Sequence, residues 1–287
     1  MPILINESNS VFSTQDFIDQ RSVALGQSVS ASRSERFRSL IASHLPSISR
    51  NINGLRNYQR LVDLLAGRSS DDKSKVLVIG SGPEAGDGMA PLASSHNVEL
   101  VETDVAFGST TQIVCDAHDL PFEDALFDAV IVQAVLEHVA DPYRCVEEIH
   151  RVLKSDGLVY AETPFMQQVH MAAYDFTRFT HLGHRRLFRA FSEIDSGIAC
   201  GPGMALAWSY QYFLLSCTNS RIIRGLLTAF AHLTSFFLLW VDRFTVTNPA
   251  AYDAASGFYF IGRKSDSILS DRQLIAQYRG AVWAGKE

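Results

Sequence analysis

The sequence lacks three features that would each have indicated a different class of protein. Its four cysteines lie far apart in 287 residues and form no CxxC pair, so neither a disulfide framework nor a zinc knuckle is indicated. It has no basic excess: the net charge is −6, which argues against binding to nucleic acid. The first twelve residues carry Asn, Glu and Ser where a signal peptide needs a basic start and an apolar run. We therefore expect a cytoplasmic chain.

What is present divides into four regions of different composition. Residues 1–70 are polar and then helical in pattern, and 71–200 alternate short apolar runs with longer mixed ones. Residues 201–250 hold two long apolar stretches, and 251–287 contain one more apolar run and a charged tail. With 47% hydrophobic residues the chain can bury a full core. We expect one large domain with an N-terminal lead-in, an apolar insertion and a returning strand.

The lead-in region ends in a predicted helix. Apolar side chains recur at three-to-four spacing from Leu55 to Leu65, and Gly67 ends the run. A helix with one apolar face needs a surface to cover. We expect this one to pack on the domain that follows it.

The second region predicts a parallel sheet. Five short apolar runs have the length and composition of strands, at 75–80, 98–104, 112–115, 127–132 and 158–162. Before the last of them, Asp141 is suited to cap a helix and Pro142 to begin it. Strands separated by helices form a doubly wound α/β sheet with right-handed crossovers. The run 257–262 predicts a strand that returns to the same sheet.

Polar or side-chain-free residues follow three successive predicted strands. The turn 80–82 follows the first strand, Asp104 ends the second, and Asp116 follows the third. The carboxyl ends of parallel strands meet at one edge of a sheet, where nucleotide-like ligands bind. The sequence therefore predicts a cofactor site, formed by Gly80, Ser81, Gly82, Asp104, Asp116 and Ala117.

The two acids suit different parts of such a ligand. Asp104 lies about twenty residues beyond the glycines, where a carboxylate can accept both hydroxyls of a ribose; the alternatives are a solvated strand end or Glu102 in its place. The Asp116 carboxylate can accept a hydrogen bond from an adenine amine, while the backbone N–H of Ala117 donates to a ring nitrogen. Alternatively, Asp116 caps a turn. The spacing GxGxxxG is one residue longer than the dinucleotide fingerprint, which argues against a pyrophosphate.

The ordered set of segments resembles a known family, the class I S-adenosylmethionine-dependent methyltransferases and in particular their type 11 group. The matching stretches are VLVIGSGPEAG, the acid in VETDV, CDAHDLPFEDALFDAVIVQAVLEHV and RVLKSDGLVYAETPF. They lie within residues 70–200, less than half of the chain. The resemblance implies a Rossmann-like sheet of seven strands, mostly parallel with the last antiparallel. It also implies S-adenosyl-L-methionine bound over the strand ends.

The resemblance further implies roles for individual residues. Gly80 and Gly82 would cradle the methionine part of the cofactor, and Gln133 would flank the sulfonium. One departure weakens the match: the family commonly has an acid two positions before the first glycine, and Val78 stands there. Either Glu84 or Asp87 would have to replace it, and a catalytically silent relative is the alternative.

The segment after the fifth predicted strand has an unusual concentration of functional side chains. Removing a proton from a hydroxyl acceptor favours a base near neutral pKa, which makes His170 the first candidate and His181 the second. Asp175 can orient either imidazole, and Tyr174 and Arg178 can bind the acceptor. Each histidine can also be structural. No short ligand pair lies where a helix would bring it together, so we predict no metal site.

The apolar stretch 203–243 has two interpretations. It can form a buried helical hairpin that covers the pocket or joins two copies of the chain. Alternatively it lies on a membrane surface, with Arg221, Arg224 and Arg243 at its ends. The longer run, 225–241, falls a little short of a ~30 Å hydrocarbon core at about 1.5 Å per residue, so the sequence allows a membrane span but does not favour one.

These observations combine into one functional prediction. We expect a cytoplasmic methyltransferase, peripheral on the membrane, that methylates an oxygen of a sugar, a lipid-linked glycan or another small acceptor such as a quinone-like molecule. Homodimers are an option and nucleic acid is not a partner. Two alternatives are a silent methyltransferase-fold scaffold at a membrane surface and a nicotinamide-dependent oxidoreductase.

Overall fold

The structure is a computed structural model that describes residues 1–10, 12–17, 45–67, 72–82 and 87–281. Within these ranges eight strands form one sheet. They are β1 (Ile3–Leu4), β2 (Ser74–Ile79), β3 (Val98–Asp104), β4 (Ile113–Cys115), β5 (Phe127–Gln133), β6 (Leu153–Pro164), β7 (Phe191–Cys200) and β8 (Gly257–Lys264). Their order across the sheet is β1-β4-β3-β2-β5-β6-β8-β7.

The topology confirms the predicted fold class. Neighbouring strands from β1 to β6 pair in parallel, and the last strand, β8, runs antiparallel between β6 and β7. The sheet has eight strands instead of seven because the two-residue strand β1 adds to β4 at the edge. The residue pattern had not indicated β7 either, since Ser, Glu, Asp and Gly interrupt its apolar residues.

Eight α-helices lie within the described ranges. They are α1 (Gly54–Ala66), α2 (Ala90–Ala93), α3 (Pro142–Val152), α4 (His181–Leu187), α5 (Pro202–Ser216), α6 (Arg221–Ser235), α7 (Leu238–Thr245) and α8 (Asp271–Ile275). The predicted helix α1 is confirmed, and so is the start of α3, where Asp141 accepts from the backbone N–H groups of Tyr143 and Arg144. That helix ends at Val152, and the next residue, Leu153, already begins β6.

Both faces of the sheet are covered, which explains why its central strands are apolar throughout. Along β2, Leu77 faces a cluster formed with α3, while Val76 faces a second cluster formed with α1. Successive residues of one strand therefore enter different layers of the core. The carboxyl ends of β2 to β5 remain free to form a site.

The apolar stretch forms three helices instead of the two predicted. The helix α5 packs against both α6 and α7. At its start, the backbone N–H groups of Gly203 and Met204 donate to the buried carboxylate of Asp242 in α7, at 2.6 and 3.1 Å. A side chain at position 203 would lie 2.2 Å from the Leu238 carbonyl oxygen, so this crossing requires glycine.

The three helices leave many apolar side chains uncovered by the described residues. We call this set the apolar outer face: Leu206, Phe213, Ile222, Ile223, Leu226, Phe230, Leu233, Phe237, Trp240, Val241 and Phe244. No single described helix is long and apolar enough to cross a membrane; α6 and α7 reach the required length and composition only together, with a 42° bend between them.

Candidate functional site

The glycine turn after β2 has the backbone conformation that only glycine adopts readily. Gly80 has φ 74° and Gly82 has φ 71°. A Cβ at Gly80 would lie 2.2 Å from the Val135 side chain, so no larger residue fits. The turn is tied to the next strand, because the Gly82 N–H donates to Asp104 Oδ2 at 2.8 Å. The strand ends predicted to form one site therefore do meet.

Asp104 is half-buried at the end of β3. Its second oxygen, Oδ1, accepts from the Ala106 N–H at 2.9 Å. A carboxylate has about four acceptor positions and these two bonds use half of them. The described residues leave the remaining positions available to hydroxyl donors.

A small cavity of about 170 Å³ adjoins the turn. Its walls come from α1, from β2 and the turn after it, from the segment before α2 and from β5: Tyr58, Val78, Ile79, Gly80, Ser81, Met89, Ile131 and Gln133. Val78, at the position where the family commonly has an acid, is buried in this wall. The proposed replacements, Glu84 and the side chain of Asp87, lie outside the described residues.

Gln133 belongs to a buried polar network at the end of β5. It accepts from the Tyr58 hydroxyl at 2.6 Å and donates to Glu162 Oε2 at 2.7 Å. Glu162 also accepts hydrogen bonds from the Asn51 amide, at both of its oxygens, and from the Tyr160 hydroxyl. Burial raises the pKa of Glu162, although these hydrogen bonds oppose the shift.

Sequence reasoning missed every member of this network other than Gln133. Asn51 lies in the polar lead-in, Tyr58 is part of the apolar stripe of a helix, and Glu162 looked like an ordinary strand end. A signal was present for the last, because an acid inside the apolar strand LVYAETP requires hydrogen-bond partners when buried.

Asp116 is buried and both of its carboxylate oxygens have partners. The Ser10 hydroxyl donates to Oδ2, and the His118 N–H donates to Oδ1 at 2.9 Å, with His118 Nδ1 2.6 Å from the same oxygen. Burial would raise the pKa of Asp116, but the bonds from His118 and Ser10 outweigh it and the pKa is lowered. The turn-capping alternative is thus observed. The adenine role of Asp116, with buried Ala117 beside it, stays a prediction.

A larger cleft of about 310 Å³ opens on the other side of Gln133. Its walls include Asn51, Gln133, Glu137, Glu162, His170 and Met204. Gln133 lines both this large cleft and the small cavity. The two spaces therefore meet at the residue expected to flank the reactive end of the cofactor.

The loop after β6 is held by Arg178, which corrects the role predicted for that residue. All five guanidinium N–H groups are used: two on the Asp175 carboxylate and three on the carbonyls of Gln167, Gln168 and Thr177. Arg178 has no donor left for an acceptor molecule. The hydrogen bonds from Arg178 lower the pKa of Asp175 against the effect of burial.

His170 lies in the large cleft, as expected of the first candidate base. Its backbone N–H donates to Asp175 Oδ2 at 2.8 Å, and its Nδ1 lies 3.2 Å from the Gln168 carbonyl oxygen and 3.5 Å from Asp175. The ring also meets Trp208 of α5 edge-on at 6.3 Å. Asp175 thus positions the segment that carries His170.

The structure does not bring the other two predicted residues to the cleft. His181 is buried edge-on against Tyr252 and Phe258, and burial lowers its pKa to about 4, so it is a neutral core residue. Tyr174 is 51% exposed and stacks on Phe12 at 6.0 Å. Sequence proximity to His170 had suggested both roles.

Glu137 is another residue of the large cleft that sequence reasoning missed. It is 1% exposed, and burial raises its pKa to about 7 although the charge of Arg178 opposes the shift. Its Oε2 has no hydrogen-bond partner among the described residues. The neighbouring His138 holds its ring through Nδ1, 2.8 Å from the Tyr174 carbonyl oxygen.

Fold and site together define a doubly wound α/β domain with a cofactor site at its strand ends. Residues 82–161 match the family model described as a methyltransferase domain. This segment covers the end of the glycine turn, both acids and β3 to β6. The resemblance found in the sequence is thereby confirmed for this part of the chain.

Two curated relatives show which proteins share this segment. The chain is 32% identical over 102 residues to a demethylmenaquinone methyltransferase of Clavibacter sepedonicus, covering 35% of this chain and 39% of that protein. It is 35% identical over 65 residues to 2-methyl-6-phytyl-1,4-hydroquinone methyltransferase 1, chloroplastic, of Oryza sativa subsp. japonica, covering 23% and 20%. The matches thus span two fifths or less of these relatives.

Solved structures similar to this one include a 1,6-didemethyltoxoflavin-N1-methyltransferase of Burkholderia thailandensis, crystallised with S-adenosylhomocysteine. It is 12% identical, with a TM-score of 0.44 over 90% of this chain and 92% of that one. Phosphoethanolamine N-methyltransferase 2 of Haemonchus contortus, with S-adenosyl-L-methionine, is 16% identical, with a TM-score of 0.45 over 90% and 61%. The family assignment rests on the sequence match.

Proposed function

We propose that this chain transfers a methyl group from S-adenosyl-L-methionine to an oxygen of a small acceptor bound in the large cleft. The observation that carries the proposal is the meeting of two cavities at Gln133. A methyl donor in the small cavity and an acceptor in the large cleft would face each other there. Methyl transfer is an in-line displacement, so this alignment is the main task of the protein.

The residues at the strand ends fit the cofactor. Gly80 and Gly82 present backbone without side chains, and Asp104 keeps acceptor positions for the ribose hydroxyls. Because Val78 is apolar, the polar groups nearest the methionine end are the Tyr58 hydroxyl and the Gln133 amide. When bound, the cofactor supplies an activated methyl group, and the protein has only to orient the acceptor and help it lose a proton.

We place the activation of the acceptor hydroxyl at His170. Of the residues predicted to act on the acceptor, it is the one that lines the large cleft. Its segment is held by the pairing of Asp175 with Arg178. Arg178 therefore acts as a positioning residue, and Tyr174 and His181 have no part in this proposal.

We also propose that the acceptor comes from a lipid surface, with the protein peripheral on the cytoplasmic side. The helix α5 contributes Met204 to the large cleft and Leu206 to the apolar outer face, so one element joins the two. Arg221 and Arg224 at the start of α6 and Arg243 in α7 suit an anionic headgroup region. A quinol-like ring is the acceptor class we favour over a sugar, because the relatives named above carry quinone names.

Titration calorimetry of the full chain with S-adenosylhomocysteine tests the proposed activity. We expect binding by the wild type and at least tenfold weaker binding by Asp104→Asn, which keeps the shape of the side chain but loses the charge. The matched control is Glu99→Gln, an exposed acid near the other end of β3, which should bind like the wild type.

Two outcomes of that titration would contradict the proposal. A folded wild-type chain that does not bind S-adenosylhomocysteine would be a catalytically silent relative. Binding of NADH with no S-adenosylhomocysteine binding would favour the oxidoreductase. Circular dichroism of each variant establishes that the fold is intact before either conclusion is drawn.

A further inference from the structure

Three side chains of the metal-ligand type converge in one wall of the large cleft. Glu137 Oε1 lies 3.7 Å from His138 Nε2 and 4.0 Å from His170 Nε2. One ligand atom of each residue lies within 4.8 Å of the other two. The two imidazoles meet edge-on, with centroids 4.8 Å apart. Glu137 and His138 follow β5, whereas His170 comes from the loop after β6.

Backbone carbonyls assign the same tautomer to both histidines. His138 Nδ1 lies 2.8 Å from the Tyr174 carbonyl oxygen, and His170 Nδ1 lies 3.2 Å from that of Gln168. A carbonyl only accepts, so each Nδ1 carries the proton and each Nε2 keeps its lone pair. Metal-binding histidines are held in this way by their second nitrogen.

One oxygen of the buried carboxylate between them lacks a partner among the described residues. Glu137 is 1% exposed, and its Oε2 makes no hydrogen bond within the described part of the chain. The nearby cation, Arg178, has its five donors committed to Asp175 and backbone carbonyls. A buried carboxylate ordinarily requires hydrogen bonds or a cation.

The spacing and the donor types fit one class of ion. Tetrahedral ligands about 2.0–2.1 Å from a zinc ion lie roughly 3.3 Å from one another. The observed 3.7 and 4.0 Å would close by inward movements of a few tenths of an ångström per side chain. The separation between the two imidazole nitrogens is at most 4.8 Å and would close by up to about 0.8 Å per ring. Two imidazoles and one carboxylate are the donor set of divalent transition metals, whereas magnesium and calcium prefer oxygen alone.

We propose that Glu137, His138 and His170 bind one divalent transition metal ion, with Zn²⁺ as the representative case, and leave a coordination position open toward the large cleft. Resting on the proposed function, an oxygen of the acceptor would take that position. The metal, held in part by His170, would then lower the pKa of the acceptor hydroxyl, and the proton would pass to solvent because both nitrogens of His170 are occupied. The sequence had predicted no metal here because His170 lies far along the chain from the pair 137–138.

Calorimetry of the chelator-treated full chain with zinc sulfate tests this site. We expect one ion per chain, and binding at least a hundredfold weaker in His138→Ala, His170→Ala and Glu137→Gln. His96→Ala, which removes an exposed histidine elsewhere, is the matched control and should bind like the wild type. Cobalt provides a second readout, since its visible absorption should appear with the wild type and disappear with each ligand variant.

Titration with S-adenosylhomocysteine on the same samples separates this site from the proposed function. All three variants should keep wild-type affinity for S-adenosylhomocysteine, which also shows that they fold. If S-adenosylhomocysteine binds and zinc does not, the metal site is wrong and the proposed function stands. If zinc binds one to one and S-adenosylhomocysteine does not, the metal site stands and the proposed function is wrong. Zinc binding that survives all three substitutions would overturn the site.

Discussion

The parallel half of the sheet and the helices α5 to α7 are both rich in apolar residues, yet they place them differently. In β5, the residues Ala129 to Val132 are all fully buried between two layers of helices. In α6, Ile222 is 74% exposed. The parallel half of the sheet uses its apolar residues to form a rigid frame for the cofactor site. The helices present them outward beside the large cleft, which indicates a partner surface.

The largest expected effect is on the free energy of unfolding, and it compares a buried phenylalanine with an exposed one. Phe260 in β8 is 1% exposed and stacks on Phe188 at 5.1 Å, whereas Phe244 in α7 is 79% exposed. Because truncation leaves a cavity in the core, Phe260→Ala should lower the free energy of unfolding by about 3–5 kcal/mol. Phe244→Ala should change it by no more than about 0.5 kcal/mol. Urea unfolding measures both.

Equal losses of unfolding free energy in the two variants would contradict this difference between buried and exposed apolar residues. A large loss of stability in Phe244→Ala would mean that the apolar outer face is covered in the folded chain. The interpretation of that face as a partner surface would then be wrong.

The next effect is a dependence of stability on pH from two buried histidines. Burial lowers the pKa of His181 to about 4 and that of His184 to about 3, against about 6.5 in the unfolded chain. Below pH 6.5 the unfolded chain takes up protons that the folded chain does not, so stability falls as the pH falls toward 4. At pH 5 one such imidazole costs about 2 kcal/mol relative to pH 7 or above.

Thermal unfolding between pH 7 and pH 5 measures this dependence. His184→Leu should lose less stability over that interval than the wild type, since one titrating group has gone. The exposed His96→Gln serves as the control and should follow the wild type. A wild-type curve as flat as that of His184→Leu would show that the pKa of His184 is not depressed.

The smallest expected effect concerns binding of the apolar outer face to lipid. In sedimentation with vesicles of phosphatidylcholine and phosphatidylglycerol, the double variant Ile222→Ser/Phe244→Ser should bind about tenfold less than the wild type, because two exposed apolar groups are lost. The matched control is Leu55→Ser/Ile275→Ser, which alters equally exposed residues elsewhere.

Absence of vesicle binding by the wild type would contradict the lipid proposal. Light scattering on the same proteins then tests the other interpretation. A dimer that the double variant converts to a monomer would make the face an interface between two copies of the chain.

The sequence predicted more of the sheet and its helices than of the large cleft. The bounds of β3 are those predicted, and Asp141 caps α3 as expected, because both depend on local patterns of a few residues. Strand β7 was not recognised, since its pairing with β8 compensates for the polar residues within it. Long-range pairing of this kind leaves no local signal.

The residues around the cleft show the same limit. His170 and Asp175 lie five positions apart, and the expected contact between them is observed. Arg178, three positions further, instead donates all five of its N–H groups to Asp175 and to backbone carbonyls. Glu137 and Glu162 looked ordinary in the sequence and became the buried acids of the site. Whether an acid is a surface group or a functional one depends on what covers it.

The sequence by itself determined the class of the domain, the glycine turn and the acid at the end of β3, because strand periodicity and backbone conformation are local properties. Only the tertiary structure decided that Gln133 lines both cavities and that Glu137 faces two imidazoles from different loops. It also decided that the apolar residues of α6 and α7 point outward. These relations join segments far apart in the chain, and burial, distance and unpaired charge exist only once the segments are packed.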